Sequence, residues 1–314
     1  MKVVIVGAGG IGAYYGAKLM QADHQLVLVA RGEHLQAMQT QGLRVTHPDF
    51  HFHQAVNACS LSELLEQHTS SDFDLIILAL KADQTIPTLH SLKAWLKHTN
   101  TPVLSIQNGV DNELAIAAQL GQQRTIGGLA VRIGGHITAP ATVEAAGIAQ
   151  IIMGAWPEAS ANAALQQRLI PITKAFNQAG IPTTLSPSIQ HELWKKLLIN
   201  NGVNPLSALT ELDTQALTQH PVYGKTVYNM MQEVAQVASA DQVTLSADDV
   251  DAMYQLICQF DAIKTSMLID KEKGRPLELA AISGAVIKRA EQLNIDVPLT
   301  ALVHSLLSEP KSHR

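Results

Sequence analysis

The chain opens with Met1-Lys-Val-Val-Ile-Val-Gly-Ala-Gly-Gly-Ile-Gly-Ala-Tyr14, whose composition changes abruptly at the seventh residue. Residues 3–6 form a β-branched run, which is typical of a strand buried on both faces. The run leads directly into a Gly-x-Gly-x-x-Gly motif, and the pattern of residues 13–22 predicts a helix. A strand, a glycine-rich turn and a helix in this order are typical of a dinucleotide-binding unit.

The three glycines of this motif have different roles in such a turn. Gly7 permits the tight turn, Gly9 lets the backbone approach a pyrophosphate, and Gly12 lets the helix pack close to the strand. Unpaired N–H groups at the helix start would attract the phosphates. We therefore predict that a dinucleotide binds to Gly7, Ala8, Gly9, Gly10, Ile11 and Gly12. The alternative is a glycine-rich turn that holds no ligand.

The residue after the second predicted strand, residues 25–30, indicates which dinucleotide binds. Arg31 stands there, about twenty residues beyond the glycines, where an NAD site usually has an acid that accepts bonds from the ribose 2′-hydroxyl. A guanidinium instead binds the 2′-phosphate of NADP through paired hydrogen bonds. Arg31, with no acid before Glu33, therefore favours NADP. The alternative is a solvated loop arginine.

Length, charge and cysteine content limit the class of protein. The 314 residues are enough for one large or two ordinary domains, and 46% of them are apolar, as in a soluble globular protein. The net charge of −5 argues against nucleic acid as a partner. No apolar run is long enough for a membrane span, and a first strand at residue 3 leaves no room for a signal peptide. Cys59 and Cys258 fit no metal spacing and indicate a reducing compartment, so we expect a cytoplasmic protein without a metal site.

The first half of the chain alternates short β-rich runs with helical stretches, which predicts βαβ units and a parallel sheet. Further strands are predicted at residues 74–80, 102–106, 125–133 and 149–153. In an open parallel sheet, ligands bind beyond the carboxyl ends of the strands. Four candidates follow such ends, which predicts a common ligand-binding edge: Gly7, Arg31, Lys81 and Asn108.

From about residue 188 the pattern predicts helices only, at residues 193–201, 215–240, 247–260 and 277–293, with Pro276 in the first turn of the last. Ser246 and Asp249 fit a capping box at the start of the third helix. We therefore predict an α/β fold. Residues 1–185 would form an NADP-binding Rossmann domain with a doubly wound parallel sheet, and residues 186–314 an all-helical substrate domain, with the active site between them.

The segment Glu192-Leu-Trp-Lys-Lys-Leu-Leu-Ile-Asn-Asn-Gly-Val-Asn-Pro205 predicts a largely buried helix that carries polar groups. Lys196 and Asn200 share a face, and Asn204 joins them if the helix persists, although the proline after it disfavours a helical conformation there. A buried ammonium and two amides need partners, and a carboxylate-bearing ketone would provide them. The alternative is a lysine that reaches solvent beside satisfied amides, which is the better description of Lys195.

Two further polar candidates lie between residues 265 and 279. Ser266 offers a hydroxyl, and Glu278 offers a carboxylate in the first turn of the last predicted helix. Taken alone, Glu278 is explained by the favourable interaction of an acid with a helix start. The thirteen histidines are scattered without zinc spacing and receive no predicted role.

These motifs resemble those of the ketopantoate reductase (2-dehydropantoate 2-reductase) family, in order and over nearly the whole chain. The resemblance rests on the glycine motif, Val-Ala-Arg31-Gly, Leu-Lys81-Ala, Gln-Asn108-Gly, Glu-Leu-Trp-Lys-Lys196-Leu with Asn200 and Asn204, and Ser266-Met-Leu with Lys-Gly-Arg-Pro-x-Glu278. It implies NADPH-dependent reduction of 2-dehydropantoate to pantoate, a step toward pantothenate and coenzyme A.

The resemblance also implies a role for each candidate residue. Lys196 would be the proton donor. The substrate would be held by Asn108, Asn200, Asn204 and Ser266. The nicotinamide end of the cofactor would be lined by Lys81, Asn108 and Glu278. A homodimer stays open.

The chain departs from the family pattern around the expected pocket. Where the family commonly reads Glu-Ile-Asp-x-Ile-Asn-Gly, this chain has Glu278-Leu-Ala280-Ala-Ile-Ser283-Gly284. A further substrate-contacting Asn expected beyond Asn204 is absent near Thr214. The identity of the 2-keto acid is therefore open. Two other functions stay open as well: a β-hydroxyacid dehydrogenase, which shares the layout and a catalytic lysine, and a non-catalytic NADP(H) sensor.

Overall fold

The computed structural model describes residues 1–308 of the chain, and within them the protein is of the α/β class. The strands are β1 (Lys2–Val6), β2 (Gln25–Val29), β3 (Leu43–His47), β4 (Phe50–Gln54), β5 (Ala58–Cys59), β6 (Leu75–Leu78), β7 (Val103–Ser105), β8 (Thr125–Val131), β9 (Gly134–Ala139), β10 (Thr142–Ala146), β11 (Gln150–Ala155) and β12 (Thr183–Leu185). The helices are α1 (Gly10–Gln21), α2 (Gly32–Gln41), α3 (Leu61–Gln67), α4 (Thr85–Leu92), α5 (Asn112–Leu120), α6 (Ala163–Gln178), α7 (Ile189–Thr210), α8 (Thr214–Gln219), α9 (Tyr223–Val237), α10 (Ala247–Cys258), α11 (Ser266–Glu272), α12 (Ser283–Leu293) and α13 (Pro298–Ser308).

The central sheet has eight strands in the order β12-β11-β8-β7-β6-β1-β2-β5. The pairs from β5 to β8 are all parallel, which confirms the predicted Rossmann-type sheet. Two strands depart from that prediction: β11 pairs antiparallel with β8, and β12 pairs parallel with β11. A parallel return needs a crossover connection, usually a helix, and the chain between β8 and β11 contains the β9–β10 hairpin instead.

A second sheet of four strands, in the order β4-β3-β10-β9, was not predicted. Its signal is the alternation in β3, where Leu43, Val45 and His47 are buried and the residues between them are exposed. In β4, Phe50 and Phe52 are buried in the same way. This inner face packs in one core with α1, whose Tyr14 ring lies 5.9 Å from the Phe50 ring, centroid to centroid.

Helix boundaries differ from the predictions where tertiary packing or proline intervenes. α1 begins at Gly10 rather than at residue 13. α7 continues through Pro205 to Thr210, so Asn204 is helical after all. A proline inside a helix costs about 3 kcal/mol or more. The burial of apolar side chains such as Leu198 and Val203, both 0% exposed, offsets that cost.

Two other predicted helices in the second half were wrong in extent. The helix predicted at 215–240 is interrupted before α9, because His220 precedes a proline and is extended, with ψ 129°. The helix predicted from residue 277 begins only at Ser283. Ile282, with φ −105° and ψ −89°, lies outside the helical region, so Glu278 precedes the helix instead of lying in its first turn. The sequence reasoning also missed α13.

Contacts between Cα atoms divide the described chain into two units. The first comprises Met1–Gln107 and Asn112–Ile189, and the second comprises Asn108–Asp111 together with the described residues from Gln190 to Ser308. The second unit contains helices and no strand within its described residues. No helix within residues 1–308 is both long enough and apolar enough to cross a membrane.

Candidate active site

The glycine-rich loop of the first unit lies where the strand order of the central sheet reverses. β2 lies on one side of β1 in the sheet, and β6 lies on the other side. Ligands of such sheets bind in the crevice beyond the carboxyl end of the strand at this position, which here is β1. The N–H groups of Gly7 and Ala8 both donate to the carbonyl oxygen of Val29, across 3.1 and 2.9 Å. Gly7 has φ +103°, a conformation that side chains disfavour.

Close backbone approach explains the last glycine of the motif. A Cβ on Gly12 would collide with the carbonyl oxygen of Gly7, so a larger residue there would push α1 away from the loop. Gly9, by contrast, faces open space, since no atom lies within 4 Å of the position that its Cβ would occupy. Gly9 is also the residue that precedes the first turn of α1, where backbone N–H groups have no partner within the helix. The loop therefore fits the pyrophosphate of a dinucleotide.

Arg31 and Lys81 follow the two strands that flank β1. Arg31 is exposed and immediately precedes α2, directly after β2. Lys81 is exposed and follows β6, which pairs with β1 on its other side. The fold of the first unit thus places both cations at the same sheet edge as the glycine loop.

α7 of the second unit carries three of the predicted site residues at four-residue intervals. Lys196 is half-buried, Asn200 is 9% exposed and Asn204 is 8% exposed. Because the helix is continuous from Ile189 to Thr210, the three side chains occupy one face. The neighbouring Lys195 lies 3.9 Å from the Asp249 carboxylate.

A third amide of α7, Asn201, has a structural role. It is 0% exposed, and its Nδ2 donates to Oγ1 of Thr300 across 2.9 Å, which ties α7 to the start of α13. The first-turn N–H groups of Leu299 and Thr300 donate to the Glu233 carboxylate, at 2.9 and 2.8 Å. Asn201 is therefore a core amide, one position away from a site candidate: its Nδ2 is bonded, and its Oδ1 is buried without a hydrogen-bond partner among the described residues.

Asn108 and Glu278 are brought together although they lie far apart in sequence. The Asn108 Nδ2 donates to an Oε of Glu278 across 3.2 Å. Gly109, with φ +98°, packs against the backbone of Ala281, because its missing Cβ would lie 2.9 Å from that carbonyl oxygen. Asn108 was predicted at the edge of the Rossmann sheet, and the contacts assign it to the second unit.

Ser266, Ser283 and Thr214 differ in exposure and in hydrogen bonding. Ser266 is the exposed first residue of α11, and its hydroxyl has no hydrogen-bond partner among the described residues. Ser283, where the family commonly has Asn, is 0% exposed, and its Oγ lies 2.7 Å from Nδ1 of His304. Burial lowers the pKa of His304. The hydroxyl of Thr214 is also engaged, donating to the Asp261 carbonyl across 2.6 Å.

Comparison with known proteins connects these features to one family. The model of ketopantoate reductase PanE/ApbA matches residues 3–158, and the model of its C-terminal domain matches residues 188–311. The 2-dehydropantoate 2-reductase of Mesorhizobium japonicum is 30% identical, with 98% of this chain and 97% of that protein covered. The chain belongs to the ketopantoate reductase family. It is therefore an oxidoreductase that acts on a CH–OH group with a pyridine nucleotide.

Other known proteins are similar to this chain in sequence or in fold. The 2-dehydropantoate 2-reductase of Pyrococcus abyssi is 28% identical, over 98% of this chain and 97% of that protein. The crystal structure of the Geobacter metallireducens 2-dehydropantoate 2-reductase has a TM-score of 0.87 at 29% identity, over 98% of this chain and 99% of that one. D-mandelate dehydrogenase, solved with NADH and anilino(oxo)acetate, shares the fold, with a TM-score of 0.88 at 22% identity over 98% and 97%.

The described residues contain no group of three or more His, Cys, Asp and Glu side chains that could hold a metal ion. The candidate residues of the first unit carry an ammonium group and a guanidinium, and those of the second unit carry amides, an ammonium group, a hydroxyl and a carboxylate. Such a set can bind anionic ligands and transfer a proton.

Proposed function

We propose that this protein reduces 2-dehydropantoate to pantoate with NADPH, a step toward pantothenate and coenzyme A. The observation that carries the proposal is the uninterrupted α7, which aligns the half-buried Lys196 with the buried Asn200 and Asn204 on one face. Its support from outside the structure is the activity named for the family's curated members, two of which match nearly the full chain.

Lys196 donates the proton in this mechanism. When bound, the cofactor supplies the hydride from its nicotinamide C4 to the keto carbon. The ammonium group of Lys196 stabilises the negative charge that develops on the keto oxygen and then protonates it. Asn200, Asn204 and Ser266 orient the substrate, which turns a collision into a nearly unimolecular step.

The remaining residues hold the cofactor. The loop from Gly7 to Gly12 binds the pyrophosphate at the start of α1. Lys81, Asn108 and Glu278 line the nicotinamide end, and Asn108 also reaches the substrate. Arg31 binds the 2′-phosphate, which gives the preference for NADPH over NADH.

A reductase for a different 2-keto acid is the second candidate. The observation that favours it is Ser283, which stands buried against His304 where the family commonly has Asn. Ala280 likewise replaces a family carboxylate, so the pocket differs from the family pattern in its polar groups. A β-hydroxyacid dehydrogenase is a related possibility, whereas family membership favours an enzyme over a non-catalytic sensor.

We further propose that the enzyme acts in the cytoplasm on a small 2-keto acid. The support is that Cys59 and Cys258 are both unpaired thiols, as expected of a reducing compartment.

The test is an NADPH-oxidation assay with a panel of 2-keto acids: 2-dehydropantoate, 2-oxoisovalerate, pyruvate and phenylglyoxylate. We expect the highest kcat/KM with 2-dehydropantoate and loss of turnover in Lys196→Ala. A higher kcat/KM with another acid would show that 2-dehydropantoate is not the preferred substrate, and the protein would still be an NADPH-dependent 2-keto acid reductase. 3-Hydroxy acids with NADP, assayed in the oxidation direction, test the dehydrogenase alternative.

A further inference from the structure

We propose that His34 is a positioning residue that holds the glycine-rich loop in its cofactor-binding conformation. It does so by joining Ala8 of the loop to Ala141, in the turn between β9 and β10. The inference deepens the proposed function and rests on it, since it assumes that the loop binds the dinucleotide. All three residues belong to the first unit.

Both ring nitrogens of His34 contact backbone atoms. Its Nε2 lies 2.9 Å from the carbonyl oxygen of Ala8, and its Nδ1 lies 3.1 Å from the backbone nitrogen of Ala141. Because the Ala141 N–H can only donate, Nδ1 must accept. The proton of the neutral ring is therefore on Nε2, which donates to Ala8. The two contacts together select one neutral tautomer.

The charge state of the ring agrees with this assignment. An imidazolium carries hydrogen on both nitrogens and would place an N–H group against the N–H of Ala141. Half-burial of the ring lowers the pKa of His34, which favours the neutral form that the geometry requires.

Fixing the carbonyl of Ala8 fixes the next N–H group of the loop. A trans peptide is planar, and its C=O and N–H groups point in opposite directions. The bond from His34 therefore directs the Gly9 N–H away from α2. The N–H of Ala8 is fixed as well, because it donates to Val29 across 2.9 Å. Gly9 is the residue with open space around it, where a pyrophosphate can approach.

The other end of the bridge is equally well anchored. Ala141 is 3% exposed and has φ +57° in the turn between β9 and β10. The same hairpin also contacts the start of α1, because a Cβ on Gly10 would collide with the carbonyl oxygen of Gly135. The hairpin thus contacts the start of α1, and the His34 side chain joins it to the loop one residue before Gly9.

Three substitutions separate the two hydrogen bonds. His34→Ala removes both. His34→Gln retains a donor and an acceptor, since a carboxamide carries N and O at a spacing close to that of the ring nitrogens. His34→Asn is one methylene shorter, so it keeps an acceptor for Ala141 and loses the donor to Ala8. His51→Ala, an exposed histidine on β4, is the matched control.

The experiment measures NADPH binding by fluorescence titration, KM for NADPH and for NADH, kcat and Tm for each variant. Two neutral hydrogen bonds are lost in His34→Ala, so we expect Kd and KM for NADPH to rise roughly tenfold. We expect kcat at saturating NADPH to stay within about twofold, since the reacting groups are elsewhere. KM for NADH should rise by the same factor, because both cofactors share the pyrophosphate.

The rescue pattern decides between positioning and plain stabilisation. We expect His34→Gln to restore binding, and His34→Asn to bind weakly at a Tm close to that of the wild type. The proposal is overturned if His34→Asn binds NADPH like the wild type, or if His34→Gln binds no better than His34→Asn. These two variants carry the test if His34→Ala does not fold. A wild-type protein that binds neither NADPH nor NADH would instead overturn the proposed cofactor function.

Discussion

Asn108 donates a hydrogen bond from its side-chain amide to the Glu278 carboxylate across 3.2 Å, although 170 positions separate them in the chain. A second contact holds the same segment, because the Asp111 carboxylate lies 2.8 Å from Nη2 of Arg289. Residues 108–111 follow a strand of the central sheet and are nevertheless held by residues of the second unit. A substitution of Asn108 should therefore also affect Glu278, its partner on that unit.

Arg31→Ala should reduce the preference for NADPH over NADH. A hydrogen bond to a charged group contributes about 1.5–3 kcal/mol, so the selectivity ratio should fall roughly tenfold to a hundredfold. The measurement is kcat/KM with each cofactor. Arg44→Ala, an exposed arginine on β3, is the control and should leave the ratio unchanged. An unchanged ratio in Arg31→Ala would show that the 2′-phosphate binds elsewhere.

Lys196→Ala should lose most turnover and still bind NADPH, whereas Lys195→Ala should change little. General acid catalysis typically contributes 10²- to 10⁴-fold, so kcat should fall by about that factor in the first variant. Lys195 instead faces Asp249, at 3.9 Å, and lies off the face of Asn200 and Asn204. Equal losses in the two variants would contradict the assignment by helix face.

Glu278→Gln should lower kcat/KM clearly. Glu278 precedes α12, so stabilisation of a helix start no longer explains this carboxylate. The family resemblance places it beside Lys196 and the nicotinamide ribose, where its charge would favour the ammonium form of the lysine. We therefore expect the basic limb of the pH–rate profile to move to lower pH. If Glu278→Gln has wild-type kinetics and a lower Tm, the role of Glu278 is structural.

The contact between Asn108 and Glu278 can be tested by a double-mutant cycle on kcat/KM. Asn108→Ala and Glu278→Ala should be non-additive, because removing either side chain removes the same bond. Strict additivity would show that the contact does not contribute to catalysis.

Arg289→Met should destabilise the protein far more than Lys264→Ala. The Arg289 side chain is 3% exposed and lies 2.6 Å from Asp241, whereas Lys264 lies 2.6 Å from Glu272 with 57% of its side chain exposed. Removing one partner of a buried pair typically costs about 3–5 kcal/mol. An exposed pair contributes about 0–1 kcal/mol. Urea unfolding measures both, and similar losses would contradict the role of burial.

Local patterns were sufficient for much of the fold. The β-branched run before Gly7 predicted β1 to within one residue, because four consecutive buried positions leave few alternatives to a central strand. The capping box of Ser246 and Asp249 forms as predicted, with the Ser246 Oγ accepting from the Asp249 N–H across 3.1 Å. Both features depend on residues that are close in sequence.

Predictions failed where distant residues outweigh local preference. Pro205 argued against a helix at Asn204, and burial of α7 maintains it. The alternation in β3 was overlooked, since strands of five residues carry weak signals, and α1 packs against the sheet that they form.

The sequence by itself determined the glycine-rich motif, the α/β fold class and the family, because these depend on residue types at short, fixed spacings. Only the tertiary structure decided that Asn108 meets Glu278, that Asn204 continues the face of Lys196, and that His34 bridges Ala8 and Ala141. These contacts join residues that are far apart in the chain or depend on packing around them. The free energy that holds these residues in place comes from the burial of whole helices and strands, which no local pattern of residues encodes.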